Sequence, residues 1–297
     1  MRPHLPIGFD ASPARIRRLL APLAVLVALA IVTACASQPE PPVIRPLDPA
    51  VAAATAARID PLLPADVLLI GEQHDAQAHQ QIEQQVIALL AQRSTLAAVA
   101  LEMADTGVST ATLHPSSTEQ QVKSALKWND KAWPWDAYGP AVMTAVRAGV
   151  PVVGANLPRG QMQASMADAK LDGQLPGPAL KAQQQAIRIG HCNLLPESQI
   201  TPMTRIQIAK DISMAGTIGN SVLPGKVVVL LSGSGHADRN LGVPQHLRAD
   251  IKSKTLRLRA GTSPESERAE MFDAVWPTPA LPDKDYCEDF KKQMGGK

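Results

Sequence analysis

DVLLIGEQH, residues 66–74, is the stretch on which the fold turns: an apolar run, Asp66 to Ile70, that stops abruptly in the polar motif Gly71-Glu72-Gln73-His74. Its apolar residues are continuous rather than alternating, as expected for a strand buried on both faces of a parallel sheet. Three other runs have the same character: LAAVAL at 96–101, VPVVGA at 150–155 and KVVVLL at 226–231. Helical patterns separate them. Asp75 is placed to cap a helix whose apolar stripe is Ile82, Val86, Leu89 and Leu90, with Gln80, Gln81, Gln84 and Gln85 facing largely elsewhere. Ser116/Glu119 and Ser117/Gln120 offer capping boxes for a second helix, Pro140 to Ala148 reads as a third, and Thr201-Pro202 starts a fourth that runs to about Ile218. Further strands are expected at Thr255 to Arg259 and around Phe272 to Trp276. Alternating strands and helices give an α/β fold, a mainly parallel sheet flanked by helices, with helical additions.

Each of the first four runs ends in polar residues. They are Glu72 and His74 after the first, Glu102 after the second, Asn156 and Arg159 after the third, and the SGSGH segment with His236, then Arg239, after the fourth. The C-terminal ends of parallel strands share one edge, and ligands of open α/β sheets bind in the crevice outside it. These residues are therefore expected to converge although they are far apart in the chain. Glu72, His74, Glu102 and His236 suit a divalent first-row metal bound through nitrogen and oxygen. The same four without a metal make a general acid/base set. The spacing excludes some familiar sites. His74 and His79 are five apart, roughly 140° around a helix, which is not the zincin pair, and His79 reads as a helix-flank residue. SGSGH is not a GxSxG nucleophile elbow, and neither a P-loop nor a GxGxxG after a strand occurs.

The chain has only three Phe, four Trp and two Tyr, yet Trp128, Trp133, Trp135 and Tyr138 fall together in WNDKAWPWDAY. Such a cluster either lines a pocket for a large flat ligand, with Tyr138 offering a phenolate to iron, or seals helix ends as core.

Arg2, Arg15, Arg17 and Arg18 precede the apolar run Leu19 to Val32 and the small-residue stretch leading to Cys35. This is the layout of a secretion signal ending in a lipobox, with residues 1–34 removed and Cys35 acylated as a membrane anchor. The signal carries four Arg and one Asp, so the precursor's +2 falls to near −1 on processing, and nucleic acid is not an expected partner. Residues 35–57, rich in Pro and Ala, read as a lipidated tether, and 58–297 as a single domain. Ala36 lacks the Asp associated with inner-membrane retention, which favours the outer membrane. Cys192 and Cys287 are the remaining cysteines. In an oxidising compartment such a pair forms a disulfide; a metal-binding pair or two buried thiols are the alternatives.

The order LLIGEQH, LEM, the tryptophan segment, VPVVGANLPR, His191-Cys192, QIAKDISMA at 207–215 and LLSGSGHADRNLGVPQHL resembles the ChaN-type haem-binding uptake lipoproteins of the Tiki/TraB superfamily, over roughly residues 58 to 290. The resemblance implies a haem or iron complex as ligand, a role in haem or iron uptake, and a homodimer sharing haem. It also implies a tyrosine ligand to haem iron, for which Tyr138 is the candidate, with Trp135, Asn156, Arg159 and Arg239 as further cofactor-binding residues and Tyr286 as the one other tyrosine. Lys210 departs from the Arg of the family's pattern. Distant relatives imply the alternative, a metal-dependent hydrolase, peptidase or esterase-like, with Glu72, His74, Glu102 and His236 as catalytic and metal-binding residues. A purely structural lipoprotein leaves the strand-end residues unexplained.

Overall fold

In a computed structural model of the chain, residues 46–262 and 269–295 are described. The secretion signal, Cys35 and residues 36–45 of the tether lie outside them. Six strands form one parallel sheet in the order β3-β2-β4-β1-β5-β6. They are β1 (Val67–Glu72), β2 (Leu96–Asp105), β3 (Val152–Asn156), β4 (Val227–Gly233), β5 (Ser253–Ala260) and β6 (Ala274–Thr278). The chain begins at β1, moves outward through β2 to β3, then returns to insert β4 between β2 and β1 before continuing outward through β5 to β6. The reversal of direction puts the topological switch, and hence the crevice, at the C-terminal ends of β1, β2 and β4.

Alternate side chains of the central strands feed two cores. Leu68 and Ile70, Val99 and Leu101, and Val229 and Leu231 face one side, while Val67 and Leu69, Ala98 and Ala100, and Val228 and Leu230 face the other. Burial of both faces is why these strands read as unbroken apolar runs. The first side is covered by α1 (Pro49–Ile59), α2 (Gln77–Gln92), the short α3 (Glu119–Ala125) and α4 (Trp135–Arg147). The second is covered by α7 (Glu197–Gly219) through Met214, Ala215 and Ile218. Two additions, α5 (Met162–Ala167) and α6 (Gly177–Gly190), pack against α7, and α8 (Tyr286–Gly295) closes the chain. No helix among the described residues is long and apolar enough to cross a membrane.

Several element boundaries differ from the sequence reading. Residues 49–57 of the expected tether are helical: Asp48 accepts from the amides of Ala50 and Val51, Pro49 occupies the first turn, and the Ala-rich run has high helix propensity. The helix is docked rather than loose, with Thr55 and Ile59 buried. Asp75 does not cap α2, whose N-cap is Ala76, and the capping box of α3 is Thr118 with Gln121. Helices α4 and α7 each begin five residues before the proline expected near their start, after Pro134 and Pro196 respectively. Cys192 and Cys287 are joined as a disulfide, their Cα atoms 5.5 Å apart.

Candidate functional site

The strand-end side chains converge as a chain of polar contacts. Tyr138 Oη donates to Glu72 Oε1 at 2.7 Å, and the same oxygen receives His74 Nδ1 at 2.8 Å. His74 Nε2 lies 3.8 Å from Glu102 Oε2, which accepts the Gly233 amide at 2.8 Å. Glu102 Oε1 is 3.2 Å from His236 Nε2, and the opposite ring nitrogen, Nδ1, is 2.5 Å from Asp211 Oδ1. Residues from β1, β2, β4, α4 and α7 thus meet on one rim.

Local backbone geometry makes this meeting feasible. β2 bulges against β3, so that Leu101 pairs with Gly154 and Asp105 with Asn156, and Glu102 lies inside this irregularity rather than after the strand. A Cβ at Gly154 would stand 2.0 Å from the Asp105 carbonyl oxygen, and one at Gly71 would stand 2.8 Å from Ser234 Cα. Glycine is what lets these segments approach.

The electrostatics divide the rim into a fixed half and an accessible half. His236 is buried, which works against its charge, but Glu102 and Asp211 outweigh that penalty and push it up to about 10. Burial likewise opposes the Glu102 charge, and the charge and hydrogen bond of His236 overcome it, holding Glu102 well below the usual carboxylate range. Asp211 goes the other way: burial dominates and raises it to about 6, with His236 and Lys210 opposing. His74 is raised more modestly, because burial opposes its hydrogen bond to Glu72 and the charge of Glu102. Its side chain is 39% exposed, and its ring meets Trp133 edge-on at 4.9 Å between centroids. The imidazole of His74 borders a cavity of about 520 Å³ that also reaches Glu72, Gln73, Ser234, Arg257 and Arg259. A larger cavity of about 700 Å³ lies between α1, α2 and α4 and touches none of the four strand-end residues. The smaller one is therefore the functional candidate.

The expected divalent-metal site is not supported by this arrangement. Among the described residues no group of three or more His, Cys, Asp or Glu side chains is placed to hold a metal ion. The four donors converge, but as ion pairs with one another.

The other expected residues are distributed unevenly. Tyr138 reaches the cluster but is 1% exposed, and burial together with the Glu72 carboxylate raises its phenol far above the ordinary value. Its hydroxyl anchors Glu72. Trp135 is buried away from the cluster, donating Nε1 to Glu119. Asn156 is a brace: its Nδ2 donates to the Glu102 carbonyl and its Oδ1 accepts the Leu157 amide. Arg159 is exposed on the turn after β3. Arg239 is committed to Asp273 and the Glu270 carbonyl. Trp133 and Trp128 meet Tyr138 edge-on and tilted, respectively, as one group against the core.

Four contributors escaped the sequence reading. Gln80, expected to face away, is buried and donates to the second Glu72 oxygen. His79, expected on a helix flank, is fully buried, accepts the Gln73 amide and meets Thr278. Gln207 and Asp211 both reach His236 from α7, and their i, i+4 spacing within QIAKDISMA is the signal that places them on one helix face.

With that geometry in view, the family model described as haem-binding uptake, Tiki superfamily, ChaN matches residues 58–247, well over half the chain. The chain belongs to the ChaN family. Among solved structures, the ChaN-family chain is similar to ChaN of Campylobacter jejuni, whose structure shows cofacial haem binding, at 25% identity and a TM-score of 0.59, covering 70% of this chain and 86% of that one. It also matches the type III effector HopBA1 at 17% identity and a TM-score of 0.43, covering 82% of this chain and all of that one. No curated protein matches it.

Proposed function

We propose that this ChaN-family protein binds haem at the strand-end rim, with His74 as the iron-facing side chain, and serves haem or iron uptake as a lipid-anchored protein of the outer membrane. One observation carries the reading: His74 is the half-exposed imidazole of an otherwise buried polar cluster and borders an open cavity. Glu72 takes up Nδ1, and Tyr138 and Gln80 in turn secure Glu72. That orientation leaves Nε2, on the Glu102 and Gly233 side of the rim, as a nitrogen donor, the usual way a carboxylate orients a ligating histidine. Gly233 leaves it room, since a Cβ there would stand 2.9 Å from Nε2. When bound, haem supplies iron able to accept such a donor and a flat apolar face suited to the neighbouring Trp133. Raising His74 toward the protonated state makes donor binding compete with a proton, so affinity should strengthen as pH rises through the titration of that ring.

Purified protein lacking residues 1–34 is titrated with haemin and followed by its Soret band. A saturable shift is expected, weakened at least tenfold in His74→Ala and little changed in Tyr138→Phe. An unaltered wild-type spectrum removes the proposal. Anchoring is tested separately by labelling cells with a fatty-acid probe: label and membrane retention are expected to vanish in Cys35→Ser, and retention without label would contradict acylation. Light scattering with and without haemin tests the homodimer, a mass unchanged at one chain per particle being the contrary result.

A further inference from the structure

The N-terminal edge of the sheet, opposite the rim that carries His74, has a cavity of its own, of about 280 Å³. Its walls come from the segments that enter β1, β2, β4 and β5. Leu63, Pro64, Ala65 and Val227 make much of that wall apolar. Lys226 directly precedes β4 and Lys252 directly precedes β5, the two neighbours of β1 in the sheet. Strand spacing sets their Cα atoms roughly 10 Å apart across the cavity, close enough for two flexible four-carbon stems to bring both ammonium groups to one point. The other polar side chains of the cavity are engaged elsewhere. Arg93 pairs with Asp60, Thr95 Oγ1 donates to the Leu90 carbonyl, and Asp66, the one acid of the lining, accepts the Lys252 amide through Oδ2. Lys226 and Lys252 are exposed, and neither ammonium has a hydrogen bond or ion pair among the described residues. An apolar hollow with a small number of polar groups at its edge is the usual form of a small-molecule site.

We propose that this cavity binds a small amphipathic carboxylate, its apolar body against Leu63, Pro64, Ala65 and Val227 and its carboxylate between Lys226 and Lys252. Both halves of such a ligand are needed to match the lining. A bare anion satisfies the lysines and leaves the apolar wall in water, whereas a neutral apolar molecule covers the wall and leaves the two charges unpaired. The volume falls just below the roughly 300 to 1,000 Å³ of sites for drug-sized ligands, which restricts the occupant to a short chain or a single ring. The inference is independent of the haem reading: β1, six residues long and so roughly 20 Å, separates this cavity from His74.

The test titrates purified protein lacking residues 1–34 with octanoate, followed by calorimetry and by amide chemical shifts. Wild type is expected to bind octanoate saturably and at least tenfold more tightly than either 1-octanol, which has the chain without the charge, or inorganic phosphate, which has charge without the chain. Amide shifts are expected at residues 63–66 and 225–227. Lys226→Gln/Lys252→Gln is expected to lose the preference for octanoate over octanol while its haemin titration stays that of wild type. Absence of saturable octanoate binding, phosphate binding as tight as that of octanoate, shifts confined to the His74 rim, or a double variant that keeps the preference overturns the site. Should the double variant not fold, the wild-type comparison and its shifts decide alone.

Discussion

His236 Nδ1 lies 2.5 Å from Asp211 Oδ1, a contact between β4's following loop and the middle of α7 with both residues buried. Glu102 meets the other ring nitrogen, so the ring is held as an imidazolium. Its folded value of about 10 lies above the ordinary 6.5. The stability it contributes is therefore fully present below about 6.5 and is lost as pH rises toward 10. The difference corresponds to at most about 4 to 5 kcal/mol. Urea denaturation at pH 7 and pH 10 should show wild type losing at least ~2 kcal/mol more than His236→Gln. Equal losses in the two proteins would contradict an imidazolium at this position.

Glu83, on α2, is fully buried, and neither carboxylate oxygen has a hydrogen-bond partner among the described residues. Burial first, and the Glu72 charge second, raise its titration well above the usual carboxylate value. A raised acid contributes stability below its unfolded value of 4.5 and loses it as pH rises. Glu83→Gln keeps the shape without needing the proton. At pH 8 the variant should equal or exceed wild type in melting temperature, and its stability should vary less between pH 5 and 8. A loss of more than ~2 kcal/mol at pH 8 would mean that the carboxylate is charged and paired.

The sheet is readable because strands covered on both faces leave no polar alternation to disguise them, and DVLLI and KVVVLL show that burial without gaps. The strand-end residues were readable because a parallel sheet obliges those ends to share an edge. What lay hidden was the support from the helices. Asp211 and Gln80 sit on buried faces of α7 and α2, where a polar residue in sequence looks like a solvent-facing one. Helix starts read from the prolines fall too late because Pro140 and Pro202 lie inside α4 and α7: packing of Trp135 and Tyr138, and of Ile200, holds the turn before each proline against its local preference. Arg257 and Arg259 fell in an expected strand and carried no motif.

Gly71 separates the apolar part of β1 from Glu72. A Cβ there would meet the Ser234 backbone at 2.8 Å and the Ala237 side chain at 3.0 Å, so Gly71→Ala must push the β4 loop away from β1. Overpacking of this kind costs about 1 to 3 kcal/mol. The same displacement shifts Gly233, whose amide holds Glu102, and haemin affinity should fall with stability. A variant with wild-type melting temperature and wild-type affinity would show that the loop absorbs the methyl group freely.

The Cys192–Cys287 bond ties α8 to the turn after α6 across 95 residues of chain. Closing a loop of that length constrains the unfolded chain by about 4 to 5 kcal/mol in the entropic treatment, and removal of native disulfides typically costs 2 to 5 kcal/mol. Among the described residues, the His191 and Phe290 rings also meet at 5.6 Å, and Tyr286 Oη donates to Asp75 Oδ2 at 2.7 Å while accepting from Gln73 Nε2. Those last two contacts brace the loop on either side of His74. Cys192→Ser/Cys287→Ser should therefore be less stable by roughly 2 to 5 kcal/mol and insensitive to reductant, while wild type treated with reductant should come to match it. Detachment of α8 should also raise amide exchange at residues 73–76 at least tenfold, whereas Tyr286→Phe should raise it only slightly because the bond still holds the helix. Unchanged exchange in the double variant would show that the loop carrying His74 is rigid without its C-terminal brace.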